Sequence, residues 1–179
     1  MQKRFIILIL ICLQQLYSEN GSKDFTEYKV HLKGMGPIHI GASVEQIEKI
    51  LGAKLTQEGD AEGEDNCTSF HLDENHSLWF LFVGKSKKSI RLARIYINNP
   101  NMTTLSGIQI GDPIAKLKQV YKGKLKEGRE HYSNYLQFTY IPIDISDKSY
   151  GIIFETDNKN ITEISVGKYP ELQLAEGCS

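Results

Sequence analysis

Two stretches of the chain carry nearly the same succession of apolar and polar positions. Gly36 to Gly52 reads GPIHIGASVEQIEKILG, and Gly107 to Gly123 reads GIQIGDPIAKLKQVYKG. Ile38 and Ile108, Ile40 and Ile110, Gly41 and Gly111, Val44 and Ile114, Ile47 and Leu117, and Ile50 and Val120 pair at a constant offset of 70 without a gap. Self-similarity at a fixed spacing points to an internal duplication. In each copy an Ile-x-Ile pair leads into a polar residue able to cap a helix, Ser43 in the first and Asp112 in the second, with Pro113 at the favoured first helical position. Apolar positions 44, 47, 50 and 51, and 114, 117, 120 and 121, then draw one stripe along each helix, with Gly52 and Gly123 as stops. Helices this short are unstable alone in water and must lie on something.

The remaining pattern is that of strands. Ahead of the first repeat, YKVHLK alternates Tyr28, Val30 and Leu32 with polar residues, the period of a half-buried strand. After the first helix come CTSFHL, SLWFLFV and SIRLARIYI; after the second come YLQFTYI, YGIIFE and ITEISV, parted by turn-forming stretches such as DENH, GKSKK and TDNKN. The expected fold class is α+β: two tandem repeats, 36–99 and 106–168, each a short helix followed by about three antiparallel strands, sharing one sheet with the helices on one face. Gly41 and Gly111 are expected at equivalent backbone positions, each turning a strand into its helix.

These openings, with Ile38, Ile40, Gly41, Val44, Ile47, Leu51 and Gly52 matched by Ile108, Ile110, Gly111, Ile114, Leu117, Tyr121 and Gly123, resemble the helix-plus-sheet units of the SmpA/OmlA outer-membrane assembly lipoproteins and the β-lactamase inhibitory proteins. The tail ending Gly177-Cys178-Ser179 is similar to that of short secreted bacterial proteins. The resemblance implies a protein-binding scaffold with a concave sheet. The chain departs from the lipoproteins in lacking a lipobox, since Ile11 precedes Cys12, and from the inhibitors in having two widely separated cysteines.

The amino terminus changes the expected compartment. Lys3 and Arg4 precede an apolar run from Phe5 to Leu13 and a polar stretch ending at Ser18, the layout of a secretory signal peptide over 1–18. That run is far below the roughly 20 residues of a membrane-spanning helix, and no later segment approaches it. A secreted or periplasmic domain over 19–179 is the expectation. Cleavage takes the formal charge from −1 to −3, which leaves no basic footprint for nucleic acid or anionic lipid. Cys67 and Cys178 are then the cysteines that remain, and an oxidising compartment would pair them, tethering the tail 169–179 to the first repeat. A loop of that length would stabilise by roughly 4 to 5 kcal/mol at most. Two free buried thiols are the alternative.

Candidate chemistry is sparse. The acidic run EGDAEGED from Glu58 to Asp65 lacks the glycine of a calcium-binding EF-hand loop and has His71 where the bidentate glutamate belongs. His31, His39, His71 and His76 fall in no zinc-ligand spacing, and there is no G-x-S-x-G. KSKKSIR, Lys85 to Arg91, reads as the wet end of a hairpin. No catalytic residue, metal site or cofactor is assigned. Five Asn-x-Ser/Thr triplets, beginning at Asn20, Asn66, Asn75, Asn101 and Asn160, would be glycan acceptors in a eukaryotic secretory pathway.

What remains is a surface. SLWFLFV is apolar on both sides, with Leu78, Phe80 and Phe82 pointing one way and Trp79, Leu81 and Val83 the other. If Ala93, Ile95 and Ile97 face the helices with Leu136, Phe138 and Tyr140, then Arg94, Tyr96, Tyr135 and Gln137 share the opposite face with Trp79. Trp, Tyr and Arg together form the composition of an interface hot spot. The leading expectation is a partner-binding module, an enzyme inhibitor among the candidates, that presents Trp79, Arg94, Tyr96, Tyr135 and Gln137 to a protein. Coverage of that face by the tail or the amino-terminal segment is the competing expectation. An envelope structural or assembly factor and a small hydrolase are the other two functional readings.

Overall fold

The computed structural model describes residues 25, 27–58, 67–73, 75–86 and 88–174. The segment 1–18 expected to be a signal peptide, most of the acidic run, Asn20, Asn66 and Cys178 lie outside the described residues.

Helix α1, Val44–Leu51, begins where the sequence places a cap. The Ser43 hydroxyl accepts from the Gln46 amide and the Gln46 side chain accepts from the Ser43 amide, so two otherwise orphaned donors are satisfied reciprocally. Gly52 ends it in a left-handed conformation, its N–H donating to Glu48 O. Helix α2, Ile114–Val120, departs from expectation at both ends. Pro113 is its N-cap and supplies no side-chain hydrogen bond. The Asp112 carboxylate, expected to cap, instead accepts from the Gln109 amide at 3.0 Å and the Lys116 ammonium at 2.7 Å. The helix stops at Tyr121, two residues before Gly123, and Val120 is 41% exposed although the stripe assigned it to the core. A helix with no side-chain cap holds its shape through packing, and here Leu117 and Tyr121 provide it.

The strands make two sheets, both antiparallel. Val30–His31 (β1), Gly34–Met35 (β2) and Ile38–His39 (β3) form a small three-stranded sheet in that order. The expected strand over YKVHLK is therefore only the first arm of a tight hairpin, because the chain reverses after His31 and Val30 pairs with Met35. Ile108 and Ile110 form no strand; their segment touches the rest through a bridge from Thr103 to Gln109. The large sheet holds Thr56–Glu58 (β4), Cys67–His71 (β5), Leu78–Val83 (β6), Arg91–Ile97 (β7), Leu125–Arg129 (β8), Leu136–Tyr140 (β9), Tyr150–Thr156 (β10) and Ile161–Lys168 (β11), in the order β4-β5-β6-β7-β11-β10-β9-β8. Four of these strands follow each helix rather than about three. The extra ones, β4 and β8, are the outermost and the most exposed, with mainly polar sequences that give no apolar alternation to read.

Gly41 and Gly111 have φ of 95° and 86°, a region where a side chain would be strained. Gly41 N donates to Leu92 O while Leu92 N donates to Ala42 O; Gly111 N donates to Ile161 O while Ile161 N donates to Asp112 O. Each glycine thus clips the entry of its helix onto one of the two central strands, β7 or β11.

Ile47 and Leu51 of α1, Leu117 of α2 and Tyr121 at its end share one buried cluster with Phe80, Phe82, Ile95, Phe138, Phe154 and Val166 from the sheet. Leu81, Ala93 and Tyr96 form a separate buried cluster, with Cys67, Trp79 and Val83 packed against it. SLWFLFV therefore divides its side chains as its alternation demands. Ala93, expected with Ile95 and Ile97, belongs to the opposite cluster, because the ladder shifts between Leu81 and Phe82 and leaves Ala93 as the extra residue of a bulge opposite them. Among the described residues no helix is long and apolar enough to cross a membrane.

Candidate functional site

The sheet face away from the helices holds the candidate site, and its two halves differ. On β5 to β7 it is apolar: Leu81 and Ala93 are fully buried and Trp79 lies half-buried against Tyr96, ring centroids 5.2 Å apart. On β9 to β11 the same face carries Gln137, Thr139, Glu155, Glu163 and Ser165, with Ile153 among them. Arg94 on β7 stands at the boundary.

Of the five residues expected to form an exposed patch, the structure brings together Trp79, Tyr96 and Arg94. The Arg94 guanidinium carbon lies 4.0 Å from the Tyr96 ring centroid, cation over ring face. Exposure is where the expectation is corrected. Arg94 is 5% and Tyr96 9% exposed, and burial raises the Tyr96 hydroxyl pKa. The chain itself covers part of this face: after β11 it turns back across the sheet through the 3-10 turn Glu171–Gln173, burying Leu172, and Leu174 O accepts from Arg94 Nη1 at 3.0 Å. Gly151 on β10 permits the crossing, since a Cβ there would come within 2.6 Å of the Tyr169 hydroxyl and 2.8 Å of Leu172. Gln137 faces this region from β9. Tyr135 stands exposed just before β9, and among the described residues no ring contact joins it to Trp79. The Trp79 indole N–H is buried without a hydrogen-bond partner among the described residues.

Between the tail, the β8–β9 turn and the polar half of the face is a cavity of about 240 Å³. Arg94, Gln137 and Glu155 form its floor, Leu172 and Leu174 one wall, and Arg129 to Tyr132 the other. Glu155 and Glu163 sit directly opposite each other on β10 and β11. Burial, and then the facing Glu163 carboxylate, push the Glu155 carboxyl up to about 7, with Arg94 opposing. Burial also raises Glu163, against the hydrogen bond from Ser165 Oγ and the charge of Arg94. This carboxylate pair was not found in the sequence. The signal was present only as Glu155 and Glu163 at alternate-face positions of two strands, and it needed the register of β10 on β11 to become a pair.

The other candidates are scattered. His71 and His76 stack at 4.5 Å across their hairpin turn. The rings of His31 and His39 lie 5.3 Å apart on the small sheet. Lys85, Lys88 and Arg91 are exposed at the β6–β7 turn, and Asn75 and Asn101 are exposed while Asn160 is half-buried.

No protein-family model matches the chain, and no curated protein matches it. Among solved structures it is similar to the uncharacterised protein yfeY from Escherichia coli, with a TM-score of 0.52 and 13% sequence identity over 78% of this chain and 99% of that one. At that identity the likeness shows a shared fold and nothing of function.

Proposed function

We propose that the chain is a secreted or periplasmic binding module that engages a protein partner through the sheet face opposite its helices. The observation that carries this reading is the Trp79–Tyr96–Arg94 stack on that face; Tyr132 lines a cavity with Arg94, and Tyr135 stands exposed on the same β8–β9 turn. Large aromatic side chains at a rim over a desolvated arginine have the composition of a binding hot spot. The partner would meet Trp79, Gln137 and Tyr135 directly, while Arg94 and Tyr96 act from beneath. An inhibitor of a secreted enzyme and an envelope assembly factor both fit this mode; a small hydrolase is the reading that the Glu155–Glu163 pair favours.

Two supporting elements belong to the same proposal. One is the tandem duplication: the matching φ values and hydrogen bonds of Gly41 and Gly111, and the four strands after each helix, fit two repeats joined at the β7–β11 pairing. The other is a Cys67–Cys178 disulfide. From Leu174, held against β7, four further residues reach Cys178. Extended, they span about 13 Å, against about 10 Å for the two strand spacings from β7 to β5, where Cys67 lies.

The test is affinity capture from periplasmic or secreted extract with the immobilised mature chain. A stoichiometric protein partner retained by the wild type, and lost with Trp79→Ala and Tyr135→Ala variants that keep their fold, is the expected result. Turnover in a hydrolase screen that disappears in Glu155→Gln, with no retained partner, would overturn it in favour of the enzyme.

A further inference from the structure

The cavity beneath the tail is lined by charges of both signs, and the arginine at its floor has one guanidinium nitrogen buried from solvent. Arg94 Nη1 is bonded to Leu174 O and Nη2 to Ser165 Oγ, but its Nε is buried with no partner among the described residues. None of the ion pairs among the described residues involves Arg94. A 95%-buried arginine in that condition carries a desolvation cost that its neighbours offset only in part. Across the cavity Arg129 adds a second cation on an exposed side chain, and Glu130 and Glu155 add two carboxyl groups.

The lining restricts what could fill this space. An apolar occupant would strip water from four ionisable groups whose hydrogen bonds with Leu174 O, Ser165 Oγ, Asn134 O, Ser133 Oγ and Gln137 satisfy them only in part. A simple anion would face Glu130 and Glu155, and a metal cation would face Arg94 and Arg129, each a repulsion strengthened by the low-dielectric surroundings. A molecule carrying both signs meets both pairs. The volume of about 240 Å³ is below the roughly 300 to 1,000 Å³ of pockets that take drug-sized ligands, which suits something of amino-acid size.

We propose that this cavity binds a small zwitterion of the α-amino acid class, its carboxylate received by Arg129 with the Arg94 charge beneath it and its ammonium by Glu130 and Glu155. The cavity shares Arg94 and Gln137 with the face proposed for the protein partner, and its test reads small-molecule binding alone. The tail wall of Leu172 and Leu174 excludes water from one side, so both ion pairs form in a partly desolvated setting where charge-assisted hydrogen bonds are strongest. Glu155 is faced by Arg94 from β7, Glu163 from β11, Gln137 from β9 and Glu130 from the turn, and burial beside these groups holds its carboxyl at about 7. Ammonium binding therefore strengthens as pH rises through neutrality.

The experiment is isothermal titration calorimetry on the full mature chain at about pH 8, above the Glu155 transition. The probes are glycine, L-leucine, L-glutamate and L-lysine, with acetate and methylammonium as controls of one sign each. Saturable binding of at least one amino acid, about tenfold or more tighter than either control, is the expected result. Arg94→Gln should weaken it about thirtyfold. Because a change at a buried arginine can disturb folding, Arg129→Gln, at an exposed position, is the second variant and should weaken binding about tenfold. Absence of binding by all four amino acids, acetate binding as tightly as any of them, or wild-type affinity in Arg129→Gln overturns the proposal.

Discussion

The two halves of the sheet face opposite the helices are built on similar strand arrangements and have different interiors. Over β5 to β7 the strands SLWFLFV and RLARIYI bring Leu81, Ala93, Trp79 and Tyr96 into an apolar cluster. Over β9 to β11 the corresponding face holds Gln137, Glu155, Glu163 and Ser165, and a cavity in place of a packed cluster. The strand framework is maintained by the cluster on the helix side, which runs across both halves from Phe80 to Phe154. With that cluster carrying the fold, the opposite face is free to differ, and the polar half is where binding chemistry can be placed with the smaller effect on stability.

That contrast can be broken by experiment. The largest effect is expected for Leu81→Ala, which removes a fully buried side chain from the apolar half and should cost about 3 kcal/mol in urea unfolding. A cost under about 1 kcal/mol, the level of a surface change, would show that this half is not a packed cluster.

A smaller effect is expected where the tail meets the polar half. Gly151→Ala places a methyl group against Tyr169 and Leu172. It should cost about 2 kcal/mol as an overpacking change. It should also speed hydrogen exchange at the amides of Gln173 and Leu174, which bond to Pro170 and Glu171 carbonyls. Unchanged exchange there would mean that the tail does not depend on the crossing over β10.

The smallest effect is a gain. A carboxyl whose folded pKa is about 7 and whose ordinary value is 4.5 is favoured by folding while protonated, so stability falls as pH rises from about 4.5 to about 7 and is flat above. Glu155→Gln should remove the Glu155 part of that slope, while the raised Glu163 carboxyl keeps its own. It should stabilise the protein by about 1 kcal/mol at alkaline pH, less than the full shift implies because Glu155 keeps some contact with water, and change little in acid. A loss of stability at alkaline pH would instead show that the ionised Glu155 supports Arg94.

Much of the fold was legible along the chain because it is local. The α1 cap at Ser43 and stop at Gly52, the six apolar strands and the two-sided character of SLWFLFV each depend on a period or a capping residue within a few positions. The misreadings mark where local rules compete with tertiary contacts. Asp112 has a capping side chain, but Lys116 and the Gln109 amide take it. Ala93 sits in phase with Ile95 and Ile97 until a bulge turns it over. β4 and β8 lacked an apolar signal because they are sheet edges.

By itself the sequence determined which residues could form helices and strands, and that one strand must be apolar on both sides, since side-chain periodicity is a property of the backbone. Only the tertiary structure decided that Arg94 is buried under Leu174, that Glu155 faces Glu163, and that a cavity opens between them and the β8–β9 turn. Those juxtapositions join residues up to 80 positions apart. They are set by strand register and by where the tail lies down, and neither leaves a repeating mark in the order of the amino acids.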